Sequence, residues 1–267
     1  MEYNKVLTIA GSDSGGGAGI QADIKAISAM GCFAASAITA VTVQNTLGVE
    51  AVHPVPIGII EWQIDAVLSD IGADAVKIGM LHSSEVVRAV AARLCAHGAK
   101  NIVLDPVMVS TSGHRLIEES AIDTLKTELI PLARVITPNI PEAEILADVK
   151  IERNGELPSV ARLLSQRFGG VSVLLKAGHL TEERLVDIFY NAESDTTIEL
   201  PSVRIHTPNT HGTGCTLSSA FAAALAKGLS LDDAARAAKE YINGAITSGA
   251  RYTIGHGHGP VDHFFRS

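Results

Sequence analysis

Two glycine-rich segments have the composition of anion-binding loops. The first, residues 11–19, reads GSDSGGGAG, and the second, residues 209–217, reads NTHGTGCTL directly before the alanine-rich run SSAFAAALAKG. Small residues expose backbone N–H groups, and a helix N-terminus leaves N–H groups unpaired and carries a partial positive charge. Four residues at the start of this predicted helix are therefore expected to bind an anion: Gly212, Thr213, Gly214 and Cys215.

The first segment differs from two familiar phosphate-binding loops. It lacks the GK[ST] ending of a P-loop, and no acidic residue ends a second strand about 20 residues further on, as a dinucleotide-binding fingerprint requires. That region reads CFAASAITAVTVQN. A strand-to-helix turn, with Asp13 and Asp23 as capping or solvated residues, remains the alternative for the first segment. A tight helix entry without a ligand remains the alternative for the second.

Two carboxylates stand just beyond predicted strands. Asp105 follows the apolar run NIVL, and Glu142 lies in TPNIPE together with Asn139. Two carboxylates and an amide suit Mg²⁺, which keeps several waters and takes only one or two carboxylates from the protein. Taken singly, either acid could be a cap or a favourable charge near a helix start. The pair predicts a magnesium site.

An α/β fold is expected to position these residues. Short apolar runs, typical of strands with helices on both faces, occur at residues 6–10, 75–78, 102–105, 135–137 and 171–176, and a further strand ends near Gln44. Residues 185–190, 196–200 and 203–205 indicate an antiparallel edge. Helical spacing occurs at residues 20–30, 57–67, 86–94, 214–227 and 231–248, with Gly31, Gly98, Gly228 and Gly249 as predicted caps. In a mostly parallel sheet, ligands bind beyond the carboxyl ends of the strands.

Composition and charge exclude several classes of protein. The 267 residues fit one domain, because α/β domains often reach about 250 residues. The net charge of -8 offers no broad positive field for nucleic acid or anionic lipid. No apolar run reaches the roughly 18 residues of a membrane helix, and the first residues lack a basic leader. The spacing of Cys32, Cys95 and Cys215 fits neither a disulfide framework nor a metal site. We expect a cytoplasmic protein with no nucleic-acid or membrane partner.

Seven ordered motifs resemble the hydroxymethylpyrimidine and phosphomethylpyrimidine kinases of thiamin biosynthesis, a branch of the ribokinase superfamily. They are TIAGSDSGGGAGIQADIK, ITAVTVQNT, KIGML, LDPVM, TPNIPEAE, LLKAGH and NTHGTGCTLSSA. The resemblance covers essentially the whole chain and implies one ribokinase-like kinase domain over residues 1–267, with three layers. It also implies ATP- and Mg²⁺-dependent phosphorylation of 4-amino-5-hydroxymethyl-2-methylpyrimidine on its hydroxymethyl oxygen, followed by phosphorylation of the monophosphate to the diphosphate.

The resemblance also assigns roles to individual residues. Gln44 would hydrogen-bond the aminopyrimidine, and four residues would line its pocket: Gly11, Asp23, Met80 and Val107. Asp105, Asn139 and Glu142 would organise Mg²⁺ and its waters, Lys176 would lie near the ATP phosphates, and the backbone amides of residues 212–215 would form the anion hole.

Cys215 stands where many sugar kinases of the superfamily carry Asp, which favours the pyrimidine kinase branch over ribose kinases. We expect it to accept the proton of the substrate hydroxyl. A helix N-terminus can lower the pKa of a thiol, so we expect the pKa of Cys215 to lie near neutrality.

Three alternatives remain open. A pyridoxine or pyridoxal kinase would also bind a flat heteroaromatic ring with a hydroxymethyl group. A non-catalytic pyrimidine-binding regulator would lack the magnesium carboxylates or the anion loop, and this chain keeps both. A nicotinamide-dependent dehydrogenase is disfavoured by the missing ribose-binding acid. The apolar helices and the lack of a long inserted lid indicate a homodimer.

Overall fold

The short apolar runs of the sequence form strands of one hydrogen-bonded sheet. The computed structural model describes residues 3–108, 117–178 and 183–266. The strands within them are β1 (Lys5–Asp13), β2 (Phe33–Asn45), β3 (Gly48–Pro54), β4 (Ala75–Ile78), β5 (Ile102–Leu104), β6 (Val135–Ile136), β7 (Ser172–Leu175), β8 (Arg184–Asn191) and β9 (Thr196–Val203). Their order across the sheet is β3-β2-β1-β4-β5-β6-β7-β8-β9.

The centre of the sheet is parallel and both edges are antiparallel. β1 pairs in parallel with β2 and β4, and parallel pairing continues through β5, β6 and β7. β8 and β9 form the predicted antiparallel edge, but residues 196–203 make one strand where two were expected. The antiparallel strand β3 was not predicted, because its residues are exposed or half-buried and form no apolar run.

Helices cover both faces of this sheet, which confirms the predicted fold class. They are α1 (Gly19–Ala29), α2 (Ile57–Ala66), α3 (Ser84–Ala96), α4 (Glu119–Thr124), α5 (Ile140–Ala147), α6 (Leu157–Arg167), α7 (Thr213–Ala226) and α8 (Leu231–Gly249). Short π-helical or 3₁₀ segments occur at Val67–Ile71, Leu125–Leu129, Ile130–Leu132 and Asn154–Glu156. Helices α2 to α6 contribute to one apolar cluster, and α1, α7 and α8 contribute to the other.

Three of the four predicted glycine caps are confirmed. Gly31, Gly98 and Gly228 follow helices with φ values of +79°, +60° and +82°, which L-residues with a Cβ rarely adopt. The prediction for Gly249 is wrong, because Gly249 is the last residue of α8 and has no positive φ. A Cβ at Gly249 would lie 2.8 Å from the backbone nitrogen of Asp262, so close packing of the C-terminal segment requires glycine there.

Among the described residues, no helix combines the length and the apolar character needed to cross a bilayer. The nine strands of the described residues belong to one sheet. The single domain over residues 1–267 stays a prediction.

Candidate active site

A cavity of about 560 Å³ opens where the parallel strands end. The glycine-rich segment after β1, the residues after β4, β5 and β6, and the start of α7 all contribute to its wall. The cavity thus brings together the separate segments that the sequence singled out. The predicted site residues that line it are Gly11, Gln44, Met80, Asp105, Val107, Asn139, Glu142, Lys176, Gly212, Thr213, Gly214 and Cys215.

Asp23 is the predicted pocket residue that the structure places elsewhere. It does not line the cavity, and its carboxylate is fully buried beside β1, β4 and α7. Lys77 Nζ lies 2.8 Å from both carboxylate oxygens, and the hydroxyls of Thr8 and Ser219 donate to it at 2.6 and 2.8 Å. The expected substrate contact is therefore corrected to a buried ion pair that joins four elements, α1, β1, β4 and α7.

Asp105 and Glu142 lie together with one lysine at the ends of β5 and β6. Lys176 Nζ lies 2.9 Å from Asp105 Oδ1, and Thr137 Oγ1 donates to the same oxygen at 3.0 Å. Glu142 and Asn139 form a capping box at the start of α5: the Asn139 N–H donates to Glu142 Oε2 at 2.8 Å, and the Glu142 N–H donates to Asn139 Oδ1 at 2.9 Å. Asn139 and Glu142 therefore both cap α5 and line the cavity.

The charge balance of this cluster fits a divalent cation. Burial, together with the neighbouring Asp105 carboxylate, raises the pKa of Glu142 to about 7, although Lys176 acts in the opposite direction. When Glu142 is ionised, the two carboxylates of Asp105 and Glu142 outnumber the one positive charge of Lys176. A cation would neutralise this surplus negative charge. The described residues contain no group of three or more His, Cys, Asp or Glu side chains able to hold a metal. Two carboxylates completed by waters are the donor set that Mg²⁺ accepts.

The predicted anion loop adjoins these carboxylates. Gly212 precedes α7 with φ +80°, and a Cβ there would overlap the carbonyl oxygen of Gly17, so only glycine fits. A Cβ at Gly214 would lie 3.3 Å from both Asp105 Oδ2 and Lys176 Nζ. The Thr213 N–H donates to the Thr210 carbonyl oxygen at 3.3 Å, and the start of α7 lies beside the predicted magnesium site, as phosphoryl transfer requires.

The electrostatic environment of Cys215 differs from the expectation. Burial raises the pKa of its thiol to about 11; Asp23 and Asp105 also raise it, while Lys77 acts in the opposite direction. The expected pKa near neutrality is wrong, because desolvation of the thiolate outweighs the favourable helix start. At neutral pH the resting side chain is a thiol.

The sequence analysis named Asp13 as a capping or solvated residue of the glycine-rich segment, but it did not predict the contact of Asp13 with His211. The Asp13 carboxylate accepts hydrogen bonds from the backbone N–H groups of Gly15, Gly17 and Ala18 at 2.8 to 3.0 Å. It also lies 2.9 Å from His211 Nε2, so it joins the first glycine-rich segment to the second. An Asp two residues before a run of glycines is the local signal for such a carboxylate-centred turn.

The other half of the cavity was also not predicted. It lies between β8, β9 and α8, where the buried Asp187–Lys239 ion pair has a 2.6 Å contact. The isoleucines on α8 are one helical turn apart, a spacing that is equally typical of core residues, so the sequence carried no distinct signal. The other lining residues here are Leu185, Ser202, Val203, Arg204, Ile205, Ile242, Asn243 and Ile246.

A cavity lined by a glycine-rich segment, a helix start and two buried carboxylates can hold a phosphate donor and an acceptor. The fold and the site therefore define a small-molecule kinase of the ribokinase-like class. More particularly, the chain belongs to the phosphomethylpyrimidine kinase family, whose sequence profile matches residues 13–262.

Individual relatives agree with this assignment. The chain is 50% identical over 262 residues to the hydroxymethylpyrimidine/phosphomethylpyrimidine kinase of Rhizobium meliloti, covering 97% of each chain. It is similar to the structure of phosphomethylpyrimidine kinase from Clostridium difficile, with a TM-score of 0.80 and 43% identity over 91% of this chain and 99% of that one. It is also similar to an ADP complex of Bacillus subtilis pyridoxal kinase, with a TM-score of 0.89 and 35% identity over 98% of both chains. The resemblance stated from the motifs is confirmed.

Proposed function

We propose that this kinase transfers a phosphoryl group from ATP to the hydroxymethyl oxygen of 4-amino-5-hydroxymethyl-2-methylpyrimidine, and a second one to the resulting monophosphate. The diphosphate then serves thiamin biosynthesis. The observation that carries the proposal is the convergence, in one cavity, of Gln44, the anion loop and the Asp105–Glu142 pair. Its support from relatives is the 50% identity to a kinase named for both pyrimidine substrates.

The chain's own residues divide the work of phosphoryl transfer. The backbone N–H groups of residues 212–215 stabilise the charge of the moving phosphoryl group, and Lys176 neutralises charge on its donor side. Mg²⁺ held by Asp105 and Glu142 would supply further neutralisation of the ATP β- and γ-phosphates. The thiolate form of Cys215 accepts the proton of the attacking hydroxyl as the new O–P bond forms and the bond between the γ-phosphoryl group and ADP breaks.

Gln44 recognises the ring. A side-chain amide offers both a donor and an acceptor, which match a ring nitrogen and the neighbouring exocyclic amine of the pyrimidine. Met80 and Val107 line the same cavity and give the ring apolar contacts. These roles follow from the family's pattern together with the placement of each residue in the cavity.

A vitamin B6 kinase is the second candidate. The TM-score of 0.89 to a pyridoxal kinase exceeds the 0.80 to a phosphomethylpyrimidine kinase, whereas sequence identity has the reverse order. Mass spectrometry after incubation with ATP, Mg²⁺ and either the hydroxymethylpyrimidine or pyridoxal distinguishes the two. We expect products with one and two added phosphoryl groups from the pyrimidine. Phosphorylation of pyridoxal alone would contradict the proposal, and no transfer to either compound would exclude both candidates.

We also propose that the protein is a cytoplasmic homodimer, since the reaction consumes ATP and an apolar surface is available. Val41 and Val43, on the same face of β2, are 48% and 54% exposed, and Trp62 on α2 is 68% exposed. Light scattering should give twice the chain mass for the wild type and less for Val43→Asp. Ile145→Asp, at an exposed site on α5, is the matched control. A monomeric wild type would contradict the dimer.

A further inference from the structure

The side chain of Gln44 lies between two polar partners. Its Oε1 is 3.1 Å from Thr42 Oγ1, and its Nε2 is 3.3 Å from His211 Nε2. The two ends of a carboxamide have nearly the same size, so the hydrogen-bonding partners decide which end is nitrogen. The hydrogens carried by Thr42 and His211 therefore determine the direction of this amide.

His211 Nε2 carries a hydrogen, because it lies 2.9 Å from Asp13 Oδ2. Burial alone would raise the pKa of Asp13, but hydrogen bonds from His211, Ala18 and Gly15 hold it below its usual value, so the carboxylate is ionised and can only accept. A ring nitrogen that donates to a carboxylate has no lone pair left to accept from an amide nitrogen. The end of Gln44 that faces His211 must be the oxygen.

Thr42 leads independently to the same direction. Its single hydroxyl hydrogen has two possible acceptors, the Ser12 carbonyl oxygen at 2.9 Å and the near end of Gln44 at 3.1 Å. The carbonyl can only accept, so the hydrogen goes to Ser12 and a lone pair of Thr42 Oγ1 faces Gln44. A lone pair requires a donor, which is the amide nitrogen. Turning the carboxamide by half a rotation gives the Thr42 lone pair a donor. It also removes the contact between two donor nitrogens at His211, whose one Nε2 hydrogen stays directed to Asp13.

We infer that Thr42 and His211 fix the Gln44 carboxamide with Nε2 toward Thr42 and Oε1 toward His211, and that this direction determines which way round the pyrimidine binds. This inference rests on the proposed function. The free N–H of the amide lies on the Thr42 side and pairs with ring nitrogen N3, while the free lone pair lies on the His211 side and pairs with the 4-amino group.

The consequence for the reaction follows from the order of substituents on the ring. The 5-hydroxymethyl group is the next substituent beyond the 4-amino group, so it extends past His211 toward Gly212 and the anion hole. The opposite amide direction would bring the 2-methyl group there, and nothing could be phosphorylated. Thr42 and His211 are thus positioning residues that act on the substrate through Gln44.

The protein holds both positioning residues firmly. Thr42 is buried, and the His211 ring packs so closely on Gly17 that a Cβ there would overlap it. The backbone N–H of His211 also donates to the Gly259 carbonyl oxygen at 3.1 Å, which fixes the main chain of this residue. Neither side chain can turn away without breaking these contacts, so the amide direction is built in before the substrate arrives.

Nuclear Overhauser effects test the direction of the amide without any substrate. In a ¹⁵N-labelled sample of the full chain, we expect the side-chain amide hydrogens of Gln44 to show stronger effects to the Thr42 side chain than to the His211 ring. Thr42→Ser keeps the hydroxyl and should preserve the chemical shifts of this amide group, whereas Thr42→Val should move them. Stronger effects to the His211 ring than to the Thr42 side chain in the wild type would overturn the inference whatever the substrate is.

Calorimetry with a matched pair of ligands tests the consequence for recognition. The 4-oxo analogue of the hydroxymethylpyrimidine carries an acceptor at position 4 and a donor at N3, so its pattern is reversed. We expect the wild type to bind the 4-amino compound at least about 100-fold more tightly. Thr42→Val should reduce this ratio about tenfold, because one of the two contacts that fix the amide is lost, and Thr42→Ser should retain it.

The outcomes separate the inference from the proposed function. An unchanged ratio in Thr42→Val, or equal affinity of the wild type for the two ligands, would overturn the role of the amide direction. A wild type that binds neither ligand would contradict the proposed function, and the Overhauser effects would still decide the direction of the amide.

Discussion

The pKa of Cys215 determines how the first phosphorylation should depend on pH. Because the pKa is about 11, only about one thiol in a thousand is ionised at pH 8, and forming the thiolate costs about 4 kcal/mol. Below this pKa, the fraction of Cys215 that is ionised rises tenfold for each pH unit. Single-turnover rates of the first phosphorylation should therefore rise about tenfold per unit from pH 7 toward pH 10.

Substitutions at Cys215 separate its chemistry from the geometry of the anion loop. Cys215→Ala should slow the first step by about two to four orders of magnitude, the usual range for loss of a general base. The second step starts from a phosphate oxygen that is ionised near neutral pH, because its second pKa is about 6, so the second step should lose much less. Cys215→Asp should partly restore the first step and flatten its pH profile, since a carboxylate is ionised over this range.

Rapid quenching with separate quantification of mono- and diphosphate measures the two rates. Alkylation by iodoacetamide in a Cys95→Ser background reports the thiol itself, because Cys95 is exposed and would otherwise react. Equal losses of both steps in Cys215→Ala would refute the base and point to a damaged anion loop. An alkylation rate that reaches its plateau near pH 7 would refute the argument from burial.

Three further outcomes are expected. Gln44→Ala should weaken pyrimidine binding in calorimetry by about 1 to 2 kcal/mol and leave ATP affinity unchanged, because ring atoms lose their partners; unaltered pyrimidine affinity in a folded variant would contradict this. Affinity for Mg²⁺ should fall as the pH drops through about 7, because Glu142 becomes protonated there. Glu142→Gln and Asp105→Asn should each reduce turnover. If both variants keep wild-type turnover and magnesium dependence, the metal assignment is wrong. Lys77→Met should lower the free energy of unfolding in urea by about 3 to 5 kcal/mol, because the Asp23 carboxylate is left buried and unpaired, and adding Asp23→Asn should recover much of it; an additive double variant would show that the pair is not coupled.

The sequence predicts the centre of the fold better than its margins. The run AVKI at residues 75–78 is fully buried and forms β4 with the predicted bounds, because a strand covered on both faces is mostly apolar. Its one charged residue, Lys77, is buried only because it is paired with Asp23. β3 has one face open to solvent and sits at an edge, so its residues show neither a run nor a clear alternation. The position of an edge strand and the role of a glycine at a helix end, such as Gly249, depend on the distant segment that packs against them.

The site shows a similar division. Residues just after strands, such as Asp105 and Glu142, were predictable because the carboxyl ends of parallel strands share one edge. Asp23 could not be placed, since its position on α1 does not reveal whether it faces the cavity or Lys77. The pKa of Cys215 depends on burial by groups that are distant in the sequence. Its position at a helix start was therefore not enough to predict the direction of the pKa shift.

The close approach of Gly212 to Gly17 has a consequence for the order in which this chain acquires activity. Asp13 and His211 are 198 residues apart, so the contact between them closes a loop that spans most of the polypeptide. During synthesis, β1 and its neighbours can pair long before the ribosome has released α7, and until then the first glycine-rich segment has no partner. Contacts of such high contact order form slowly. Recovery of activity after denaturation should therefore lag behind recovery of the circular dichroism signal, and a nascent chain that ends before α7 would have most of its sheet but no anion hole.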